Sequence, residues 1–287
     1  MTPLEFRPAS NWSPEELAAL FTRGYEGYYT PVAVGTADFE TMAHTGDFDL
    51  GASCVGLESG MPVAFAMLGV RELRGWVGGM GVVAESRGRG YGRQVMERVI
   101  RAARERAVRQ LDLEVLEHNV QAAPIYEALG FRDRRWLDVW VRPPGPIGSL
   151  PASQAEAEEL VAEPPLDECL ALYARFHPER PPWQRDEGSL RRWGARLSVI
   201  GVRDASGIRG WVIYREAGSR LTLADLAVAP GTDLKPVAKA LAALIAARPE
   251  SAILLVNLPP SDAFAPVLRE LGAEVKLRQR EMTLALA

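Results

Sequence analysis

The chain has 287 residues, 47% of them hydrophobic and 24% charged, enough for two ordinary globular domains and too balanced for a disordered or fibrous polypeptide. Its net charge of −4 argues against a nucleic-acid footprint. The most apolar helical run, Val237 to Ala247, contains Lys239 and is too short to cross a bilayer, so no membrane is expected.

The N-terminus, "MTPLEFRPAS", lacks a charged region followed by an apolar stretch. Two cysteines, Cys54 and Cys169, one in each half, have no C-x-x-C or histidine neighbour. They suit a cytoplasmic protein with free thiols and suggest no metal. A strand at Leu4–Arg7 is followed by Ser13, an N-cap, and Pro14 at the first position of a helix running into "YEGYY". Strands are expected at Ser53–Glu58, Val63–Arg71 and Gly75–Val83, then a helix from Gly90 to Ala107. Its residues Val95, Met96, Val99, Ile100 and Ala103 share one face. The strand "LDLEVLE", a helix over Ala122–Leu129 closed by Gly130, and the strand "RWLDVWV" complete the first half.

Residues 142–165, rich in Pro, Gly, Ala and Glu, break the pattern. We therefore set domains at 1–142 and 166–287, with 143–165 as linker. The second half repeats the order: strands at Ser198–Arg203, Gly210–Arg215 and Leu221–Val228, a helix over Lys235–Ala247, the strand "AILLVN", a further helix, and a closing strand near Met282–Leu286. "APIYEALGF" (123–131) and "APVLRELGA" (265–273) correspond, with Tyr126 replaced by Leu268. The spacing points to two tandem copies of one α/β domain with a mixed sheet.

After the strand ending at Val83 comes "AESRGRGYGR", opening the long helix. Gly88, Gly90 and Gly92 let backbone approach a ligand closely. With the helix's positive end, Arg87, Arg89 and Arg93, they form a site for a pyrophosphate. The spacing is neither a Rossmann fingerprint nor a P-loop.

Val82–Val83 with "SRGRGYG" (86–92), and "NVQAAPIYEALGF" from Asn119, together resemble the two motifs of the GNAT superfamily of acetyl-CoA-dependent N-acetyltransferases. The resemblance covers about residues 4–141 directly and implies a GNAT-like fold in both halves. It implies that backbone groups of Val82, Val83 and Ala84 hold the pantetheine arm and thioester carbonyl. The amides of Arg87, Gly88, Arg89, Gly90, Tyr91, Gly92 and Arg93 hold the pyrophosphate, Asn119 bonds the arm, and Tyr126 protonates the departing thiolate. A phenol of pKa near 10 is chemically suited to that last role. Read from the residues alone, Tyr126 has the alternative of a core or interface aromatic with a satisfied hydroxyl, and Asn119 that of a helix N-cap, which is compatible with a cofactor contact.

The implied activity is transfer of an acetyl group to a primary amine, with acetyl-CoA as acyl donor, no metal, and a small-molecule acceptor. A non-catalytic acyl-CoA sensor and a protein N-terminal or lysine acetyltransferase are the alternatives. Tyr25, Tyr28 and Tyr29 cannot share one helix face, so at least one should line a cleft. Asp47 and Asp49 either attract a cationic amine or serve as turn residues. Glu114, Glu117 and His118 stand near the expected site without one being marked as the base. In the second copy "APGTDLKPV" lacks the arginine–glycine cradle, so this half reads as degenerate and as an acceptor-cleft wall or structural element, with Asp225 on its central strand as a candidate contact. Monomer and homodimer remain equally compatible with the sequence.

Overall fold

The computed structural model describes residues 4–29, 32–147 and 161–286. They form two compact units, Met1–Arg135 together with Arg280–Ala287, and Trp136–Gln279. Much of the 143–165 linker, and Thr30 and Pro31 of the tyrosine-rich stretch, lie outside the described residues.

In the first unit, β1 (Glu5–Pro8), β2 (Cys54–Glu58), β3 (Met61–Arg71) and β4 (Arg74–Val82) form consecutive antiparallel pairs. β4 then pairs in parallel with β5 (Gln110–Leu116) through the crossover helix α3 (Tyr91–Glu105). The helix buries the expected stripe: Val95, Met96, Val99 and Ala103 are fully enclosed and Ile100 nearly so. Each such burial is worth roughly 1.5–3 kcal/mol for the larger aliphatic side chains. Helix α1 (Pro14–Gly24) begins at a capping box in which Ser13 and Glu16 satisfy each other's amides. It stops at Gly24, short of "YEGYY". A Cβ on Gly24 would lie 2.5 Å from the Phe65 ring, so the helix end presses its backbone onto the sheet and only glycine fits. A helix α2 (Thr36–Thr45), unforeseen in the sequence, follows, and α4 (Ala123–Ala128) links β5 to β6 (Arg132–Arg142).

The second unit contains β7 (Val161–Ala162), short helices α5 (Leu166–Ala171), α6 (Tyr173–Phe176) and α7 (Glu187–Trp193), and strands β8 (Ser198–Asp204), β9 (Gly207–Ala217) and β10 (Arg220–Val228). Helix α8 (Lys235–Ala246), β11 (Ala252–Leu258), α9 (Phe264–Glu270) and the first half of β12 (Glu274–Ala285) complete it. Its strands run β6-β11-β10-β9-β8-β7.

The boundaries differ from those read in the sequence. The chain divides within β6, near Arg135, and residues 280–287 return to the first unit. The cause is visible in packing and charge. Met282 and Leu286 belong to the first core. Glu281, 2% exposed, is held by Arg135 at 2.6 Å and Arg134 at 3.6 Å. The Leu286 N–H donates to the Arg109 carbonyl at 2.7 Å.

Candidate active site

β4 and β5 are in register only from Arg74–Gln110 to Trp76–Asp112, and beyond that point the strands part. A β-bulge interrupts the β3–β4 pairing between Met67 and Leu68, leaving Gly78 as the extra residue on β4. Because Val83 N–H donates to Val63 of β3 at 2.9 Å, alternation turns the backbone groups of Gly81 toward β3 and those of Met80 and Val82 into the gap. Val83 is thus committed to the sheet through its amide, and its carbonyl accepts from Ser86 N–H at 3.0 Å. The Ala84 carbonyl accepts from Arg87 N–H at 3.3 Å. Of the three residues named from the sequence for the arm and carbonyl, Val82 faces the gap with its backbone, whereas the Val83 amide and carbonyl and the Ala84 carbonyl are engaged elsewhere. Met80, which sequence reasoning missed, joins Val82.

The glycines of β4 serve the aromatic layer beside this gap. A Cβ on Gly78 would meet Phe48 at 2.3 Å and Trp76 at 2.5 Å, and one on Gly79 would meet Phe21 at 2.7 Å. These rings lie directly on the strand's backbone, which excludes any side chain there.

Past the gap, Gly88 and Gly90 adopt φ of +76° and +77°, and α3 begins at Tyr91. Among the described residues, the amides of Gly90, Tyr91, Gly92 and Arg93 have no backbone acceptor. They are the orphan donors of a helix start and carry its positive potential. The arginine side chains are employed otherwise. Arg87 donates to the carbonyls of Val82 (3.0 Å), Gly24 (3.1 Å) and Glu26 (2.6 Å), stitching the end of α1 to the end of β4. Arg89 grips both oxygens of Glu58 at 2.9 and 3.0 Å. The Tyr91 hydroxyl also donates to Glu58, and this bond, with the Arg89 charge, holds the Glu58 carboxyl below the usual range. Arg93 pairs with Glu97 at 2.8 Å in an exposed helical pair, an interaction of only a few tenths of a kcal/mol that an anion could displace.

Four polar side chains gather at the mouth of the gap. The Asn119 side chain accepts from Ala122 N–H at 3.0 Å and donates to the Tyr28 hydroxyl at 3.4 Å, so it acts as a local cap and reaches the tyrosines at once. Tyr126, 7% exposed, packs edge-on to Phe131. Burial pushes its phenol pKa well up, with the nearby Tyr25 and Tyr28 adding to the effect. Burial likewise pushes Tyr25 up to about 12, Tyr28 adding and the Met80 N–H opposing. Tyr28 is raised by burial, against its Asn119 hydrogen bond. Tyr29, 51% exposed, leans on Tyr28 from outside. The early end of α1 is what sends Tyr25 and Tyr28 to the gap.

Asp47 and Asp49 take no part in this cluster. Asp47, at φ +52°, pairs with Arg71 at 2.6 Å; Asp49 pairs with Arg106 at 2.7 Å and caps Ala52. Both brace the turn-rich segment at the opposite end of the β3–β4 hairpin from Val82. Glu114 accepts from the Trp76 indole at 2.8 Å, bridging β5 to β4 where they begin to part, whereas Glu117 and His118 are exposed. Asp225, in the second unit, is fully buried and bonded to His177 (2.9 Å), Arg185 (3.1 Å) and Trp211 (2.8 Å). Burial opposes its ionisation, but these partners together hold its carboxyl below the usual range. Cys54 and Cys169 are buried thiols pushed up to about 12 by burial, so neither is a nucleophile at neutral pH. Among the described residues no group of three or more His, Cys, Asp or Glu side chains could hold a metal ion, and no helix is long and apolar enough to cross a membrane.

A mixed sheet with a bulged central strand, a parting parallel neighbour and an open helix start between them defines the acetyltransferase fold implied by the motifs, present here in two tandem GNAT-like domains. Residues 15–131 match the model of the Acetyltransferase (GNAT) family. This segment, less than half of the chain, is what the chain has in common with that family of acyltransferases. No curated protein matches it in sequence. Among solved structures, a GCN5-related N-acetyltransferase from Sphaerobacter thermophilus is similar with a TM-score of 0.72 at 16% identity, covering 98% of this chain and 95% of that one. A tandem GNAT protein from the clavulanic acid biosynthesis pathway is similar with a TM-score of 0.66 at 17% identity, covering 98% of each chain. A third, a GCN5-related N-acetyltransferase from Anabaena variabilis, has a TM-score of 0.64 at 14% identity, covering 98% of this chain and 72% of that one.

Proposed function

We propose that the first unit transfers an acetyl group from acetyl-CoA to the primary amine of a small molecule, by direct attack in a ternary complex, and that the second unit is a degenerate copy. The observation that carries this reading is the continuity of three features in one unit: parted strands, four open amides at a helix start, and a buried phenol beside them. The residues fit such a donor. Gly88 has open space where a Cβ would stand, so a phosphate can approach its backbone. The amides of Gly90 to Arg93 hold the pyrophosphate, and Val82, Met80 and Asn119 offer groups to the amide-bearing arm.

Acetyl-CoA supplies the activated acyl group, and the protein's residues position it and manage charge. Tyr126 stands ready to hydrogen-bond the departing sulfur. A free phenol is about 1.5 pKa units weaker an acid than a thiol, and burial widens the difference. Its contribution is therefore donation to the thiolate as charge develops, with net protonation following as the thiol leaves. The test is a thiol-release assay against amines, amino acids, aminoglycosides and polyamines. Release driven by at least one small amine supports the proposal. Binding of acetyl-CoA without release by any amine points to a sensor, and release only with peptides points to protein acetylation.

A further inference from the structure

Arg87 stands where two sides of the candidate site meet. Its own N–H donates to the Ala84 carbonyl at 3.3 Å, and the next residue, Gly88, opens the cradle with φ of +76°. Its side chain runs the other way. Nε donates to the Val82 carbonyl at 3.0 Å, at the end of β4, and Nη2 donates to the carbonyls of Gly24 at 3.1 Å and Glu26 at 2.6 Å. Gly24 ends α1, where the last carbonyls carry the helix's negative potential and a cation is favourable. Gly27, at φ +69°, turns the chain immediately after Glu26. The two carbonyls bracket Tyr25, whose ring meets Tyr28 at 5.1 Å, and the Tyr28 hydroxyl accepts from Asn119 at 3.4 Å. Among the described residues, the N–H groups of Tyr25, Glu26 and Tyr28 all donate within residues 21–25, so the main chain of this segment is hydrogen-bonded to another element through Arg87. A second tie, Arg23 to Glu85 at 3.1 Å, joins the end of α1 to the same approach to the cradle.

We propose that Arg87 is a positioning residue that locks the tyrosine segment onto the end of β4, so that Tyr25 and Tyr28 shape the acceptor side of the gap, and that its charge is not what holds the pyrophosphate. The inference rests on the reading of the gap as the site of transfer. Nε and Nη2 lie along one edge of a rigid planar fork, so the carbonyls from the end of α1, the turn after it and β4 are held in one fixed arrangement. The same edge is the one with which an arginine takes a phosphate through two parallel bonds. Its use on carbonyls leaves anion binding to the backbone amides of Gly90 to Arg93. An ammonium at this position would be a point charge on a flexible stem and would not span three carbonyls. The fork, more than the charge, is therefore what the site draws from Arg87.

The experiment compares the intact parent chain with Arg87→Ala and Arg87→Lys. Hydrogen exchange read by mass spectrometry should show residues 24–29 exchanging about 10-fold faster in both variants, with the interior of α3 as in the parent. Calorimetric titration with acetyl-CoA should give dissociation constants within about 3-fold of the parent's, because the cradle amides are untouched. In the thiol-release assay, run with the amine of the panel most active on the parent, KM for that amine should rise about 10-fold while KM for acetyl-CoA holds within about 3-fold. Lysine restores the charge and not the fork, so it should rescue neither the exchange nor the KM for the amine. An acetyl-CoA affinity weakened about 10-fold by alanine and recovered by lysine would make the guanidinium an anion ligand and overturn the proposal. Parent-like exchange at residues 24–29, or a parent-like KM for the amine, in Arg87→Ala would overturn the role of Arg87 alone. Failure of every amine to release thiol from the parent would overturn this role together with the function on which it rests.

Discussion

Arg87 shows how a residue can be correctly singled out and wrongly employed. Sequence reveals a guanidinium beside glycines; it does not reveal the three carbonyls of Val82, Gly24 and Glu26 that the guanidinium satisfies. Glycines at 88 and 90 were legible because positive φ is nearly their monopoly. Met80 was not, since the direction of its amide depends on the bulge at Gly78 and on pairing parity with β3. Two predictions belong to single residues. Tyr126→Phe should lower kcat about 10²-fold with little change in acetyl-CoA affinity, and an unchanged kcat would make the phenol a packing group. The phenols of Tyr25, Tyr28 and Tyr126 are all raised by burial. Unfolded phenols ionise near pH 10, so stability is whole below about pH 10 and falls as pH climbs toward the higher folded values. Thermal melts between pH 8 and about pH 12 should show that decline, and a flat profile would contradict the burial.

At the scale of elements, long periodic segments were plain and short or charged ones were not. The α3 stripe could be read directly because five apolar residues share its face. Helix α2 hides because only Phe39 is fully buried along it. β12 was expected near its end alone, since Glu274 to Gln279 carry charges that mask strand alternation. The return of residues 280–287 to the first unit was illegible for another reason: chain order alone does not say which core a terminal strand joins. Glu281 makes that assignment testable. Replacing it with Ala leaves the guanidinium of Arg135, 12% exposed, short of its carboxylate, at a cost of roughly 3 kcal/mol. Denaturant unfolding of the first unit's signal should shift to a lower midpoint at similar slope. No shift would mean the strand is peripheral to that unit.

For the whole molecule, duplication predicts two sites and local chemistry predicts one. The second unit keeps the geometry: β10 bulges between Leu223 and Asp225 as β4 does at Gly78, and β10 and β11 are in register only from Arg220 to Leu223. Its equivalent of the gap is differently furnished. The Arg185 side chain bonds Asp225 of β10 at 3.1 Å and the Asn257 carbonyl of β11 at 3.4 Å, spanning the strands where they part. Leu268, in the place of Tyr126, is a core residue, and Asp233 occupies the helix start, accepting from Lys235 N–H. An anion there would meet a carboxylate first. The most direct measurement is calorimetric titration of the intact chain with acetyl-CoA, repeated on Gly90→Val, where a β-branched residue is forced to φ of +77° in the middle of the cradle. A stoichiometry near one, lost in the variant, is the predicted result; a stoichiometry near two, or binding that survives the substitution, would contradict it.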